Sequence, residues 1–102
     1  ELSKIDWNDT AQHIHDKIRG LYSWPGATCE FKGKVIKIHS SRLAGECGGK
    51  PGEVSESDKR FVVCCGDGNA VEILVLQAPG KRAMPAGDFL RGNPIEKGAF
   101  FE

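Results

Sequence analysis

The first periodic stretch of the chain has the spacing of a helix. Its apolar residues are Ala11, Ile14, Ile18 and Leu21, which follow one another at intervals of three or four positions. Asp9 precedes the stretch and Gln12 stands three positions after Asp9, as in a capping box, so we expect Asp9 to be the N-cap. Gly20 and the Trp24-Pro25-Gly26 sequence are typical of a helix end. The pattern therefore predicts one N-terminal helix that ends near Gly20.

Beyond residue 26 the apolar positions alternate with polar ones, which is the pattern of β-strands. Two hairpins follow from it, residues 27–32 with 34–39 and residues 60–65 with 70–76. The first hairpin turns at Gly33, with Ile36 and Ile38 on one face and Val35, Lys37 and His39 on the other, where His39 has no second histidine beside it. The second turns at Asp67-Gly68, a pair that favours a two-residue type I′ turn.

The remaining segments are shorter and less regular. We expect a glycine-rich loop at residues 42–51, a short strand at residues 52–55 and a helical turn at residues 85–90. Phe100 and Phe101 should dock the C-terminal tail on the core. A chain of 102 residues forms one domain. Five to six short strands with one N-terminal α-helix predict a mainly β fold, an OB-like open Greek-key barrel that spans residues 1–102.

Composition gives little indication of a partner. The chain carries 14 basic and 14 acidic residues, so its net charge attracts neither nucleic acid nor membrane. The cations are unevenly placed, with seven against two anions in residues 17–50 and three against one in residues 77–95. This asymmetry is compatible with a basic binding face and equally with an ordinary solvated surface.

The apolar runs and the cysteines bear on where in the cell the protein is located. No apolar run approaches the roughly 18 residues of a membrane-spanning helix, and no signal-peptide pattern opens the chain. The four cysteines are too few for a disulfide scaffold, so we expect buried free thiols in a reducing compartment. We therefore expect a cytoplasmic location and no membrane partner.

Several motifs begin like known binding signatures and then depart from them. Residues 44–50 have the spacing of a phosphate-binding loop, but Pro51 stands where a magnesium-binding hydroxyl is needed. Residues 66–68 begin like a dinucleotide fingerprint but form the expected hairpin turn. His13 and His15 point in different directions on a helix and cannot share a metal ion. We predict no catalytic, metal or cofactor site in this chain.

The strongest functional lead is the segment LQAPGKRAM at residues 76–84, at the end of the most apolar strand. Pro79-Gly80 predicts a rigid turn, and Lys81 and Arg82 follow it at once. A rigid turn that presents two adjacent cations is a fixed platform for an anion.

Three segments, in order, resemble the C-terminal domain of methionyl-tRNA formyltransferases. They are IDWNDTAQHIHDKIRGLYSWPGA at residues 5–27, KPGEV at residues 50–54, and GDGNAVEILVLQAPGKRAM at residues 66–84 with the trailing DFLRG. The resemblance covers nearly the whole chain and implies an OB-like barrel excised from a longer enzyme. It also implies that formyl transfer and 10-formyltetrahydrofolate binding belong to a separate N-terminal, Rossmann-like catalytic domain.

The resemblance further implies that this domain helps to seat initiator tRNA. Its partners would be that tRNA and its own catalytic domain, and we expect a monomer. Since Lys and Arg read the phosphates of A-form RNA, the candidate contacts are Lys34, Lys37, Arg42, Lys81 and Arg82, followed by Arg19 and Arg91. The alternative is an equivalent barrel in another folate-dependent enzyme, a sugar-nucleotide formyltransferase or a formyltetrahydrofolate dehydrogenase, where it would act as a structural spacer.

Overall fold

The described residues form one sheet with two helices packed on it. The computed structural model describes residues 3–20, 27–31, 33–58 and 60–101. The elements are β1 Ser3–Lys4, α1 Ala11–Gly20, β2 Ala27–Phe31, β3 Lys34–Glu46, β4 Val54–Glu56, β5 Val62–Cys64, β6 Asn69–Gln77, β7 Met84–Pro85 and α2 Ala86–Gly92. The strand order is β1-β2-β3-β6-β5-β4, with β7 paired to β6, and only the β1–β2 pair is parallel within this sheet. The sheet does not close, so the prediction of a mainly β, open barrel-like fold with an N-terminal helix is confirmed.

Helix α1 packs its apolar face on β3 and β6, as its spacing predicts. Ala11, Ile14 and Ile18 are buried, whereas Leu21 and the Trp24-Pro25-Gly26 sequence lie outside the described residues. The predicted cap is wrong by one residue. The backbone N–H of His13 donates to Oγ1 of Thr10 at 3.0 Å, which makes Thr10 the N-cap.

Other bonds complete the start of α1. Oδ1 of Asp9 accepts from the Thr10 backbone at 2.8 Å, just outside the helix. Gln12 donates to Asp16 at 3.0 Å instead of reaching back to Asp9. The Ala11 backbone donates to Asp67 of the β5–β6 turn at 3.2 Å, so a carboxylate from a distant segment also satisfies a free N–H at this helix end.

The first predicted hairpin is confirmed, and its second strand is longer than expected. Phe31 and Lys34 pair across the turn, where Gly33 has a φ of 80°. Strand β3 continues to Glu46 because it pairs with β6, so the loop predicted at residues 42–51 begins only after Glu46. Three register shifts along this pair bend β3, as β-bulges do. The bend lets one long strand curve across the barrel-like sheet.

The second hairpin is also confirmed, with a different turn. The Cys65 N–H donates to the Asn69 carbonyl at 2.8 Å, and the Gly68 N–H donates to the Cys65 carbonyl at 3.4 Å. These bonds enclose a loop of three residues with Gly68 at a φ of 82°, instead of a two-residue type I′ turn.

The tail docks through one phenylalanine. Phe101 is buried, and its ring lies 6.0 Å from Trp7, 5.1 Å from Phe31 and 5.5 Å from Phe61, measured between ring centroids. Phe100 is 48% exposed, so the expectation that both phenylalanines pack is only half right. The helical turn expected at residues 85–90 is confirmed as α2.

The cysteines divide into two pairs of different kinds. Cys29 and Cys65 are buried free thiols, as expected. Cys47 and Cys64 form a disulfide with their Cα atoms 5.7 Å apart, so the expectation of free thiols is wrong for this pair. The bridge joins the segment after β3 to β5.

Candidate functional site

The turn at residues 78–81 is held by both backbone and side-chain bonds. The Lys81 N–H donates to the Ala78 carbonyl at 3.1 Å, and Gly80 has a φ of 73°. Proline followed by glycine in this conformation is typical of a type II turn. Nε2 of Gln77 donates to the Lys81 carbonyl at 2.8 Å, and Oε1 of Gln77 lies 2.8 Å from Nε2 of His39. The turn is therefore braced against β3 through two side chains.

Sequence reasoning did not predict this brace. The sequence places His39 without a second metal ligand beside it, and the structure gives it Gln77 as a hydrogen-bond partner. The two residues are 38 positions apart, so no local pattern signals their contact. The contact between His39 and Gln77 could be predicted from their polar character on otherwise apolar strands, since polar residues that face outward on neighbouring strands pair across a sheet.

Lys34 and Lys81 line the same groove. The groove has a volume of about 720 Å³ and lies between the start of β3, the turn at residues 78–81 and α2. We call it the α2 groove and define it by six of its lining residues, Phe31, Lys34, Ile36, Lys81, Met84 and Phe89. Both lysines are exposed at its rim. The structure thus brings together two candidates that are far apart in sequence.

Two further candidates lie at the same end of the sheet. Lys37 is paired in register with Gln77, whose amide holds the turn, and Arg82 directly follows Lys81. We call Lys34, Lys37, Lys81 and Arg82 the basic end of the sheet. Within the described ranges, none of these four side chains forms a hydrogen bond or an ion pair. Their charges are therefore available to an anionic ligand.

Arg42 does not belong to this group. Its Nε lies 2.8 Å from Oε1 of Glu72, and Nε of Arg60 lies 3.1 Å from the same oxygen. Glu72 is buried, so the two arginines neutralise a carboxylate that would otherwise be costly to bury. The position of Arg42 is therefore explained by the structure of the sheet.

Arg19 and Arg91 are ion-paired on their own helices. Arg19 lies 3.1 Å from Asp16, and Arg91 is paired with Asp88. Both arginines remain exposed, so these pairs hold them only weakly. Arg19 also lines a second depression of about 680 Å³ with His39 and Ala83, beside the basic end.

The described residues offer little for chemistry beyond binding. No group of three or more His, Cys, Asp or Glu side chains in them is placed to hold a metal ion. Burial raises the pKa of the Cys29 and Cys65 thiols to about 12, so neither is a nucleophile at neutral pH. Neither described helix has the length and apolar character that crossing a membrane requires.

The described residues thus combine an open barrel-like sheet with four cations at one end that have no partner among them. The chain belongs to the family described as "Formyl transferase, C-terminal domain", whose model matches residues 1–94. It is 44% identical over 98 residues to a methionyl-tRNA formyltransferase of Brucella anthropi, covering 93% of this chain and 31% of that protein. The enzyme of the same name from Clostridium acetobutylicum is 34% identical over 103 residues, covering 100% of this chain and 33% of that protein.

The chain thus spans about a third of the length of the curated relatives it matches. Among solved structures, it is similar to HypX from Aquifex aeolicus in complex with tetrahydrofolic acid. The TM-score is 0.70 at 27% identity, over 97% of this chain and 20% of HypX. The fold therefore recurs as one part of larger proteins.

Proposed function

We propose that this chain is the C-terminal domain of a cytoplasmic methionyl-tRNA formyltransferase and helps to bind and position initiator tRNA. A separate N-terminal domain would bind 10-formyltetrahydrofolate and carry out formyl transfer. The observation that carries the proposal is the basic end, with four cations that have no partner among the described residues. The names of relatives 34–44% identical to the chain supply the identity of the anion.

The physical character of the basic end suits a folded RNA. A-form RNA displays phosphates and ribose hydroxyls more accessibly than base edges, so cations on a rigid support recognise its shape. The rigid support is the type II turn, braced by Gln77 on β6. Lys81 and Arg82 would therefore orient the tRNA and take no part in the transfer reaction.

The second candidate function is that of a structural spacer in another folate-dependent enzyme. The similarity to HypX does not favour it, since that match shows a shared fold over 97% of the chain and no role for the domain. The curated relatives favour the tRNA role because their identity to the chain is higher. A spacer has no need of four cations at one end of the sheet that have no partner among the described residues.

The salt dependence of tRNA binding by the full chain tests the proposal. If the four cations each contact a phosphate, log affinity should fall with log salt concentration at a slope of about −3 to −4. A slope near zero, or no binding at low salt, would contradict the tRNA role.

Charge reversal locates the contact. Lys81→Glu with Arg82→Glu should weaken tRNA binding more than about tenfold and make the salt slope less steep by about two, because two phosphate contacts are lost. The control is Lys50→Glu with Lys97→Glu, which changes the net charge equally at exposed positions outside the α2 groove. Equal losses in both double variants would mean that only overall charge matters.

A further inference from the structure

We propose that the α2 groove binds one unstacked nucleotide of the RNA. The base and ribose would lie against the apolar floor, and the adjoining phosphate would lie between Lys34 and Lys81. This inference rests on the proposed function and deepens it. It assigns the groove a ligand of its own, beyond the general attraction of the basic end for phosphates.

The size and lining of the groove fit such a ligand. Its volume of about 720 Å³ is within the range of roughly 300–1,000 Å³ found for small-ligand sites. The floor includes Ile36, Met84 and Phe89, and Phe31 contributes a half-buried aromatic ring. Aromatic and thioether side chains both make favourable contacts with flat, polarizable rings.

The groove also holds polar groups suited to a nucleotide. Nδ2 of Asn93 donates to the Phe89 carbonyl at 3.2 Å, which leaves its Oδ1 without a donor among the described residues. That oxygen can accept an N–H from a base. Asp88 lines the groove too, but Arg91 is paired with it and offsets its repulsion of a phosphate.

The rim favours RNA over a protein segment as the occupant. The centres of protein interfaces are depleted in lysine, because an ammonium group is costly to strip of water. Here two exposed lysines without partners in the described ranges line the same groove as several apolar side chains. A nucleotide matches this arrangement because it joins an apolar face to an anion.

The test measures binding of 5′-AMP, 5′-CMP, 5′-GMP, 5′-UMP and ribose 5-phosphate to the full chain by NMR titration. Nucleotides should bind at least about fivefold more tightly than ribose 5-phosphate, since stacking of the base adds to the phosphate contact. Shifted resonances should include those of Met84 and Phe31. Equal binding of ribose 5-phosphate would mean that the lysines attract phosphate alone, and the inference would be overturned.

A filled groove gives the second arm of the test. Ala78 is half-buried and lines the groove, so Ala78→Trp should reduce nucleotide binding about tenfold. Ala78→Leu should reduce nucleotide binding by a smaller factor, and it replaces Ala78→Trp as the test if tryptophan prevents folding. Val35→Trp is the control, because Val35 is 45% exposed and alternates with Lys34 and Ile36, which line the groove.

The two proposals fail in different ways. If tRNA binding keeps a salt slope of −3 to −4 while Ala78→Trp and Ala78→Leu leave nucleotide binding unchanged, the groove assignment is wrong and the tRNA role stands. If Ala78→Trp exposes new cleavage sites to limited proteolysis, that variant has lost local structure, and Ala78→Leu decides the test. A slope near zero overturns the tRNA role itself.

Discussion

Gly66 is a residue at which no side chain fits. A Cβ atom there would lie 1.8 Å from the Asn8 carbonyl oxygen, which is backbone and cannot rotate away. The Gly66 N–H also donates to the Asp9 carbonyl at 2.9 Å, so the β5–β6 turn lies directly against the start of α1. We expect Gly66→Ala to lower the free energy of unfolding by about 3 kcal/mol, since the turn must separate from the helix. Urea denaturation measures this loss.

The matched control is a glycine with open space around it. Gly87 lies in α2, and a Cβ there would meet no atom within 4 Å. Gly87→Ala should raise the free energy of unfolding by about 0.5–1 kcal/mol, because alanine loses less backbone entropy in a helix. Equal losses at Gly66 and Gly87 would show that the contact with Asn8 does not matter.

The free thiols give a prediction about pH. Burial raises the pKa of Cys29 from 9.0 to about 12, so the native state holds the proton where the unfolded chain has lost it. The unfolded state binds fewer protons between these values, and stability should therefore fall as pH rises from about 9 to 12. Cys29→Ala should reduce the slope of unfolding free energy against pH in that window. An unchanged slope would mean that the Cys29 thiol does not contribute to it.

At the scale of elements, we expect Thr10 to stabilise the N-terminal end of α1 more than Asp9 does. Thr10→Ala removes the bond from the His13 N–H and should lower the free energy of unfolding by about 1 kcal/mol. Asp9→Ala should cost less, because its carboxylate accepts from Thr10 outside the helix. Thermal unfolding followed by circular dichroism compares the two variants. A larger loss of stability from Asp9→Ala would mean that Asp9 is the N-cap, as the sequence suggests.

The elements that sequence predicts well are those whose signal is local. The hairpin at Gly33 and the face of α1 depend on spacing within a few residues, and both are confirmed. The sequence does not predict strand β3 beyond residue 39, because Gly45 and its neighbours have weak strand propensity. Pairing with β6 overrides that propensity. The predicted N-cap is wrong by one residue because Asp9 and the adjacent Thr10 are both residue types that cap helices well.

At the scale of the whole molecule, the sequence identifies the cations but does not predict which of them are paired with a carboxylate. Arg42 and Glu72 are 30 positions apart, and only the folded sheet reveals that they pair. Lys34 and Lys81 are also far apart in the sequence, and only the fold places both of them on the α2 groove. Local patterns report which residues carry charge, whereas availability depends on tertiary partners.

The C-terminal tail joins distant parts of the molecule, and its two phenylalanines provide a matched test. Phe101 contacts Trp7 before α1, Phe31 at the end of β2 and Phe61 before β5, so it bridges three segments of the core. Phe101→Ala should lower the free energy of unfolding by about 3–5 kcal/mol, since it leaves a cavity among these rings.

Phe100→Ala should change stability by less than about 0.5 kcal/mol because that side chain is 48% exposed. Guanidinium denaturation compares the two variants with the unsubstituted chain. Phe31 also lines the α2 groove, so Phe101→Ala should weaken nucleotide binding as well as the fold, whereas Phe100→Ala should leave both intact. A similar loss of stability in the two variants would mean that the tail acts through its backbone bond between Phe101 and Gly52, and not through its buried ring.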